Sequence, residues 1–290
     1  MIPDEVINHI AASIGDLDRS TISPVSGGSI NRSYELSTRD GLKYFLKLNA
    51  KSAQEMFEAE RDGLSELKSA ATVRVPEVFD CASVGDVAFL LLEYLDLGAK
   101  SSSAGAHLGS LLARQHRTRA PAFGWHRDNT IGSTPQVNQW KDDWISFYRD
   151  QRLGAQLDLA VRNGHGHRLR ERGEQLCMQL TDFFEDYDPE PSLLHGDLWA
   201  GNWGALKNGQ PVIFDPAVYF GDREADIAMT RLFGGFEPGF YAAYNEAWPL
   251  DSGFEYRCDL YNLYHVLNHL NLFGASYLDQ AMTIFDKLLR

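Results

Sequence analysis

The chain has 290 residues, of which 44% are hydrophobic, 12% aromatic and 23% charged, a balance that suits a packed globular fold and excludes a disordered or fibrous one. That length exceeds most single compact cores, so one large lobe or two smaller ones are expected. A net charge of -13 argues against nucleic acid as a partner, because phosphate backbones are held by clustered lysine and arginine; an anionic ligand would need local devices such as one lysine, backbone amides or a metal cation.

The N-terminal run MIPDEVINHI lacks the basic flank and apolar stretch of a leader peptide. Beyond it the first third alternates like an antiparallel sheet. In SRDGLKYFLKL, the turn signal Asp40-Gly41 lies between alternating runs at Ser33 to Ser37 and Lys43 to Leu48, which predicts a hairpin. Gly27 and Gly28, in VSGGSINRSYEL, sit between two expected strands, where backbone amides can approach phosphates with no side chain intervening. The spacing of Met56, Phe57, Leu64 and Leu67 predicts a helix over 53–70, and Glu77 to Ala82 and Val87 to Tyr94 read as two more strands. The most apolar stretch, Val87 to Leu95, contains Glu93 and falls far short of a bilayer span, so no membrane association is expected.

Asp96-Leu97-Gly98 breaks the sheet pattern, and helical spacing dominates from there. Helices are expected over 104–117, 140–160 and 169–184, with a polar loop from Thr118 to Gln139 between the first two. Short apolar strands flank LLHGDLWAGNWG, and helix returns over 222–233, 240–248 and 259–289. The fold class expected is α+β: a sheet-rich lobe over 1–95 carrying one helix, joined to a larger helical lobe over 96–290. Cys81, Cys177 and Cys258 are odd in number and far apart, which points to buried thiols in a reducing compartment and a cytoplasmic protein.

The chemistry concentrates in the motif between those strands. Asp197, Asn202 five residues later and Asp215 beyond a turn supply what a kinase needs to act on ATP: an acceptor for a hydroxyl proton at Asp197, and two oxygen ligands for Mg2+ at Asn202 and Asp215. Lys47, on a strand about twenty residues after the glycines, is placed to reach nucleotide phosphates, with Glu60 as its expected partner and Glu55 and Glu58 as competitors on the same helix. A lysine snorkelling from a half-buried strand is the plainer reading of Lys47 alone. LLLEYLDLG resembles the segment joining two kinase lobes, where adenine meets backbone groups, here at Glu93 and Leu95. His195 and Asp197 could in principle ligate a metal by themselves, but no histidine-rich partner accompanies them, and His165 and His167 lie in an expected solvent loop. His195 is therefore expected to brace the loop, and Asp226 to support its backbone from a helix.

HGDLWAGN, IFDPAVYFGDREADIAM, DNTIGSTPQVNQWKDDWISFYRDQRLGAQL and MFEAE together resemble the fructosamine kinase family, a branch of the protein-kinase-like fold related to aminoglycoside phosphotransferases and choline kinases. The resemblance runs from about Ser26 to the C-terminus; its more specific parts are the tryptophan of HGDLWxGN, the GDRExD stretch and TPQxN. It implies ATP-dependent phosphorylation of the 3-hydroxyl of a ketoamine, the sugar adduct of an amine, with breakdown of the product restoring the amine. It also implies Asp197 as base, Asn202 and Asp215 as Mg2+ ligands, and Lys47 with Glu60 as the pair that positions phosphate. Gly27, Gly28, Ser29, Ile30 and Asn31 would form the loop over the nucleotide, and Trp199 a flat wall for the sugar. Two other readings stay open: a kinase of aminoglycoside, choline-like or free-sugar substrates, and a nucleotide-binding protein without catalysis. Ser29 stands where some relatives carry a cysteine, so a thiol switch is not expected. Pro216 follows Asp215 in place of Phe-Gly, and no Ala-Pro-Glu loop follows, so control by loop phosphorylation is not expected either.

Overall fold

The computed structural model describes residues 2–25 and 30–290. The glycine-loop residues Gly27, Gly28 and Ser29 lie outside that range.

The alternating first third forms a five-stranded antiparallel sheet in the order β1-β2-β3-β5-β4, from β1 (Leu17–Val25), β2 (Arg32–Thr38), β3 (Lys43–Ala50), β4 (Val78–Val84) and β5 (Val87–Glu93). Its period-two pattern serves two covers. Leu36, Leu46, Leu48, Phe89 and Leu91 face one side and pack against Val6 and Ile10 of an N-terminal helix, α1 (Asp4–Ile14), and against Ile2 just before it. Ala88, Leu90 and Leu92 face the other and pack against α2 (Gln54–Ser69). Lys47 lies between Leu46 and Leu48, so the alternation turns it toward α2. On α2 the residues Phe57, Leu64 and Leu67 are buried, and Glu60 shares their face at helical spacing. The helix α1 departs from the sequence reading: a sheet with two apolar faces needs a cover on both.

A connection through Asp96-Leu97-Gly98 leads to α3 (Ser102–Gln115), whose N-cap Ser101 accepts a hydrogen bond from Ala104 N–H at 3.1 Å. The polar stretch 118–139 is not a plain loop. It carries a hairpin, β6 (Asn129–Ile131) and β7 (Thr134–Gln136), closed at Gly132 with φ +63°. The helix expected over 140–160 begins later, at α4 (Trp144–Tyr148) behind the N-cap Asp143, and reaches α5 (Ala155–Arg162) only through a π-helical turn over Arg149–Gly154. Gly154 permits that turn, since a Cβ there would lie 2.7 Å from the Arg149 carbonyl. The turn sends Arg152 into the interior, fully buried.

After α6 (His167–Gln179) and a 3-10 turn over Leu180–Phe184 come two small antiparallel pairs: β8 (Ser192–Leu194) with β11 (Tyr219–Gly221), and β9 (Trp203–Ala205) with β10 (Pro211–Ile213). They hold the HGDLW loop between β8 and β9, and Asp215 between β10 and β11. Four helices close the fold: α7 (Arg223–Arg231), α8 (Pro238–Ala247), α9 (Phe254–Phe273) and α10 (Leu278–Leu288). The expected 259–289 helix is two helices, broken at Gly274, whose φ of +87° ends α9. Among the described residues no helix is long and apolar enough to cross a membrane.

Candidate active site

Lys47 and Glu60 meet as the pattern implied. Lys47 Nζ donates to Glu60 Oε1 at 2.5 Å and to Asp215 Oδ1 at 2.6 Å, from a side chain only 8% exposed. Burial works against the ammonium charge, but the carboxylates of Asp215 and Glu60 outweigh it and hold the Lys47 pKa above its ordinary value. Of the competitors, Glu55 is exposed and Glu58 accepts from Gln54 Nε2 at 2.8 Å. One lysine thus ties the sheet, α2 and the segment after β10 together.

Asp215 occupies the left-handed region, with φ +57°, a costly place for a residue with a Cβ. That conformation turns its carboxylate toward Lys47 and leaves the side chain 49% exposed. Asn202, buried, donates from Nδ2 to the Asp197 carbonyl at 2.8 Å and to Asp197 Oδ2 at 3.2 Å. Its amide therefore orients Asp197, and Oδ1 makes no hydrogen bond among the described residues. Burial, and then the charge of Asp215, push the Asp197 carboxyl up to about 7, against the hydrogen bond from Asn202.

The HGDLW loop hangs on Asp226 of α7. Asp226 Oδ2 accepts the His195 N–H at 2.7 Å and Oδ1 the Gly196 N–H at 2.9 Å; His116 Nε2, at the end of α3, reaches Oδ2 at 3.1 Å. Burial opposes the Asp226 charge, but the hydrogen bond from His116, the two imidazoles and the His195 amide more than offset it and lower its pKa. His195 is fully buried; its Nδ1 accepts the Asp197 N–H at 3.3 Å, which leaves Nε2–H to donate to the Phe214 carbonyl at 3.0 Å. The bracing expected of His195 and Asp226 is thus their geometry. Gly196, φ +82°, passes so close to the Ala217 carbonyl that a Cβ would lie 2.0 Å from it. Trp199 is 39% exposed, and its indole covers Gly201, where a Cβ would meet the ring at 2.2 Å. His116 escaped the sequence reading because a histidine closing a helix carries no motif. Lys100 escaped it too, though its Nζ donates to the Ala200 carbonyl at 2.5 Å and ties the chain after the sheet to this loop.

Ile30 and Asn31 stand just before β2: Asn49 Nδ2 donates to Asn31 Oδ1 at 2.7 Å and to the Ile30 carbonyl at 3.3 Å. Glu93 ion-pairs with Arg74 and gives its backbone N–H to the Glu77 carbonyl at 2.8 Å, while the Leu95 carbonyl accepts from Leu97 N–H at 2.9 Å. The three cysteines are free thiols, all pushed up to about 11 by burial. Among the described residues no group of three or more His, Cys, Asp or Glu side chains forms a metal cluster. One carboxylate and one amide oxygen beside a strained, half-exposed loop instead suit Mg2+, which takes few protein ligands and completes its shell with phosphate and water.

A sheet lysine paired with a helix glutamate, over an Asp-Asn-Asp set held in loops between short strands, defines a protein-kinase-like phosphotransferase. The same fold is found in a thermostable mutant of aminoglycoside phosphotransferase APH(4)-Ia, solved with AMP-PNP and hygromycin B, with a TM-score of 0.66 at 17% identity over 99% of this chain and 98% of that one. The chain belongs to the fructosamine kinase family, which matches residues 3–290. It is 43% identical, over 92% of its length and 89% of the relative's, to a Synechocystis sp. protein named a probable ketoamine kinase. It is 42% identical to the chloroplastic protein-ribulosamine 3-kinase of Arabidopsis thaliana, over 93% of this chain and 82% of that one. A Thermobifida fusca crystal structure whose name proposes a fructosamine-3-kinase superposes with a TM-score of 0.88 at 28% identity, covering 100% of both chains. The chain is accordingly a kinase that transfers phosphate to a hydroxyl acceptor.

Proposed function

We propose that this chain phosphorylates the 3-hydroxyl of ketoamines at the expense of ATP, with the residue roles that follow. The observation that carries the reading is the pairing of Lys47 Nζ with both Glu60, at 2.5 Å, and Asp215, at 2.6 Å, beside an Asp197 oriented by Asn202. Residues 1–95 supply the nucleotide side and 96–290 the acceptor side. Lys47, fixed by Glu60, holds phosphate oxygens, and Gly27, Gly28, Ser29, Ile30 and Asn31 are assigned to binding the same nucleotide. Leu95 offers a backbone N–H to adenine, whereas Glu93, its N–H already committed, can offer only its carbonyl.

Asp215 and Asn202 Oδ1 would hold Mg2+, which neutralises charge on the transferring phosphoryl group. Asp197 accepts a hydrogen bond from the 3-hydroxyl and aligns its oxygen with the γ-phosphorus. The bond from that oxygen to phosphorus forms as the bond to the β-γ bridging oxygen breaks; ADP leaves, and the hydroxyl proton passes to Asp197. Little covalent work is asked of the protein, because alignment and charge stabilisation supply most of the acceleration. Trp199, one face on Gly201, presents the other to the sugar. Free amines released from the adduct are the repair product, and a reducing compartment such as the cytoplasm suits the three free thiols.

The test is ADP release measured against a panel of ribulosamines, fructosamines, erythrulosamines, aminoglycosides and choline, with and without Mg2+. Turnover confined to ketoamines is expected; turnover on aminoglycosides or choline alone would overturn the substrate class. The charge state of Asp197 gives a second expectation. In the protein without Mg2+ or nucleotide its carboxyl, followed by carbon-13 NMR, should titrate near the value of about 7, and Asp215→Asn should lower that midpoint. The sign for stability follows: a raised carboxyl pKa stabilises the fold below the ordinary carboxylate range, and that contribution is lost as pH rises from about 4 through about 7. A midpoint in the ordinary carboxylate range would contradict it.

A further inference from the structure

Residues 217–219, which follow Asp215 and Pro216, are gripped one after another, Ala217 and Val218 from the 129–138 hairpin region and Tyr219 from the π-helical turn. Gln136, 2% exposed, donates from Nε2 to the Ala217 carbonyl at 3.1 Å. Asn129 donates from Nδ2 to the Val218 carbonyl at 2.8 Å. Arg152, fully buried with no carboxylate in reach among the described residues, stacks its guanidinium over the Tyr219 ring at 3.9 Å.

The orientation of these amides is determined by their neighbours. Arg152 is a pure donor and gives an N–H to Asn138 Oδ1 at 2.6 Å. Asn138 Nδ2 must then donate, and it reaches Asn129 Oδ1 at 2.9 Å. Gln136 Nε2 reaches the same oxygen at 2.8 Å, while its own Oε1 accepts from the Tyr264 hydroxyl at 2.7 Å. Asn129 is left with its Nδ2 to give to Val218. Donation runs from the buried Arg152 through Asn138 and Asn129 to the Val218 carbonyl, and from Tyr264 through Gln136 to the Ala217 carbonyl, both in the segment between Asp215 and β11. Ala217 is held from its other side as well, where its N–H donates to the His195 carbonyl at 2.8 Å.

We propose that Gln136 and Asn129 are positioning residues for Asp215: by clamping the Ala217 and Val218 carbonyls they hold Asp215 in its left-handed conformation and so set its affinity for the magnesium-nucleotide complex. The proposal rests on Asp215 being a metal ligand. It assigns the buried polar side chains of TPQVN to the nucleotide side of the reaction and not to recognition of the sugar. A strained φ persists only where surrounding structure over-determines it, and these two carbonyl clamps are that structure.

The experiment compares wild type, Gln136→Leu, Asn129→Leu, Asp215→Ala and the core variant Leu176→Ala, at a buried apolar residue of α6 that takes no part in these hydrogen bonds. Calorimetry measures AMP-PNP affinity as Mg2+ is varied, and steady-state kinetics give the half-saturating Mg2+ and the KM for ketoamine. For Gln136→Leu and Asn129→Leu the Mg2+ midpoint is expected to rise roughly ten-fold, the size of losing one buried hydrogen bond, with ketoamine KM unchanged and kcat largely regained at high Mg2+. Leu176→Ala should lower the melting temperature with the midpoint in place. A midpoint unmoved in both hairpin variants, or a rise in ketoamine KM alone, overturns the proposal. If Asp215→Ala binds magnesium-nucleotide as wild type does, the metal-ligand reading fails first, and that outcome is separate from the behaviour of Gln136.

Discussion

Asp197→Asn is expected to lower ketoamine-dependent turnover by ~10³-fold or more while nucleotide affinity stays within about three-fold. The substitution keeps the shape of the side chain. It removes the acceptor that takes the hydroxyl proton, and it confronts the Asn202 amide, 3.2 Å from Asp197 Oδ2, with a group that is half donor. Lys47, Glu60 and Asp215 make no hydrogen bond to Asp197 among the described residues, and Asn202 keeps its bond to the Asp197 carbonyl at 2.8 Å, so the phosphate and metal side should be preserved. Stability should not fall much either, because the wild-type carboxylate is held at a burial cost that the neutral amide escapes. Single-turnover phosphoryl transfer alongside calorimetric nucleotide binding measures both halves. Turnover within ten-fold of wild type would remove Asp197 as the base, and a parallel loss of nucleotide affinity would show that the loop had moved.

The parts of this site that sequence made legible are those where spacing alone fixes direction. Lys47 had to face α2 because its neighbours Leu46 and Leu48 face α1, and Glu60 had to face the sheet because it repeats with Phe57, Leu64 and Leu67. The β2–β3 hairpin was legible for a similar reason: Asp40-Gly41 turns the chain, and Thr38 Oγ1 accepts the Leu42 N–H at 3.1 Å. The 129–138 stretch misled because polar composition suggests solvent, whereas Asn129, Gln136 and Asn138 are buried. Their polarity is used inside the protein, amide on amide and amide on carbonyl, so none of these three side chains needs water. The π-helical turn was illegible since a single extra residue in a helix leaves hydrophobic periodicity almost intact. Gly274 was open to reading as a helix end, yet apolar spacing resumes beyond it and hides the break.

Asp226→Asn is expected to cost about 2–5 kcal/mol of stability and to lower turnover by at least ~10²-fold, although Asp226 reaches neither substrate nor metal. Both of its oxygens are acceptors: Oδ1 for Gly196 N–H at 2.9 Å, and Oδ2 for His195 N–H at 2.7 Å and His116 Nε2 at 3.1 Å. An amide presents one oxygen and one NH2 group, so in either orientation a donor faces a donor in a site 1% exposed. His116 cannot relieve the clash by turning over without loss, because its Nδ1 already meets the Tyr244 hydroxyl at 2.8 Å. A shift of His195 and Gly196 relieves the donor–donor clash. Gly196 has no room to shift toward the Ala217 carbonyl, so the displacement runs forward into Asp197. Thermal unfolding and steady-state kinetics at saturating Mg2+ read the two effects together. The diagnostic pattern is a fall in kcat larger than any loss of magnesium-nucleotide affinity, since Lys47, Glu60 and Asp215 bond one another without Asp226. A variant that melts and turns over like wild type would show that the loop holds its shape without this anchor.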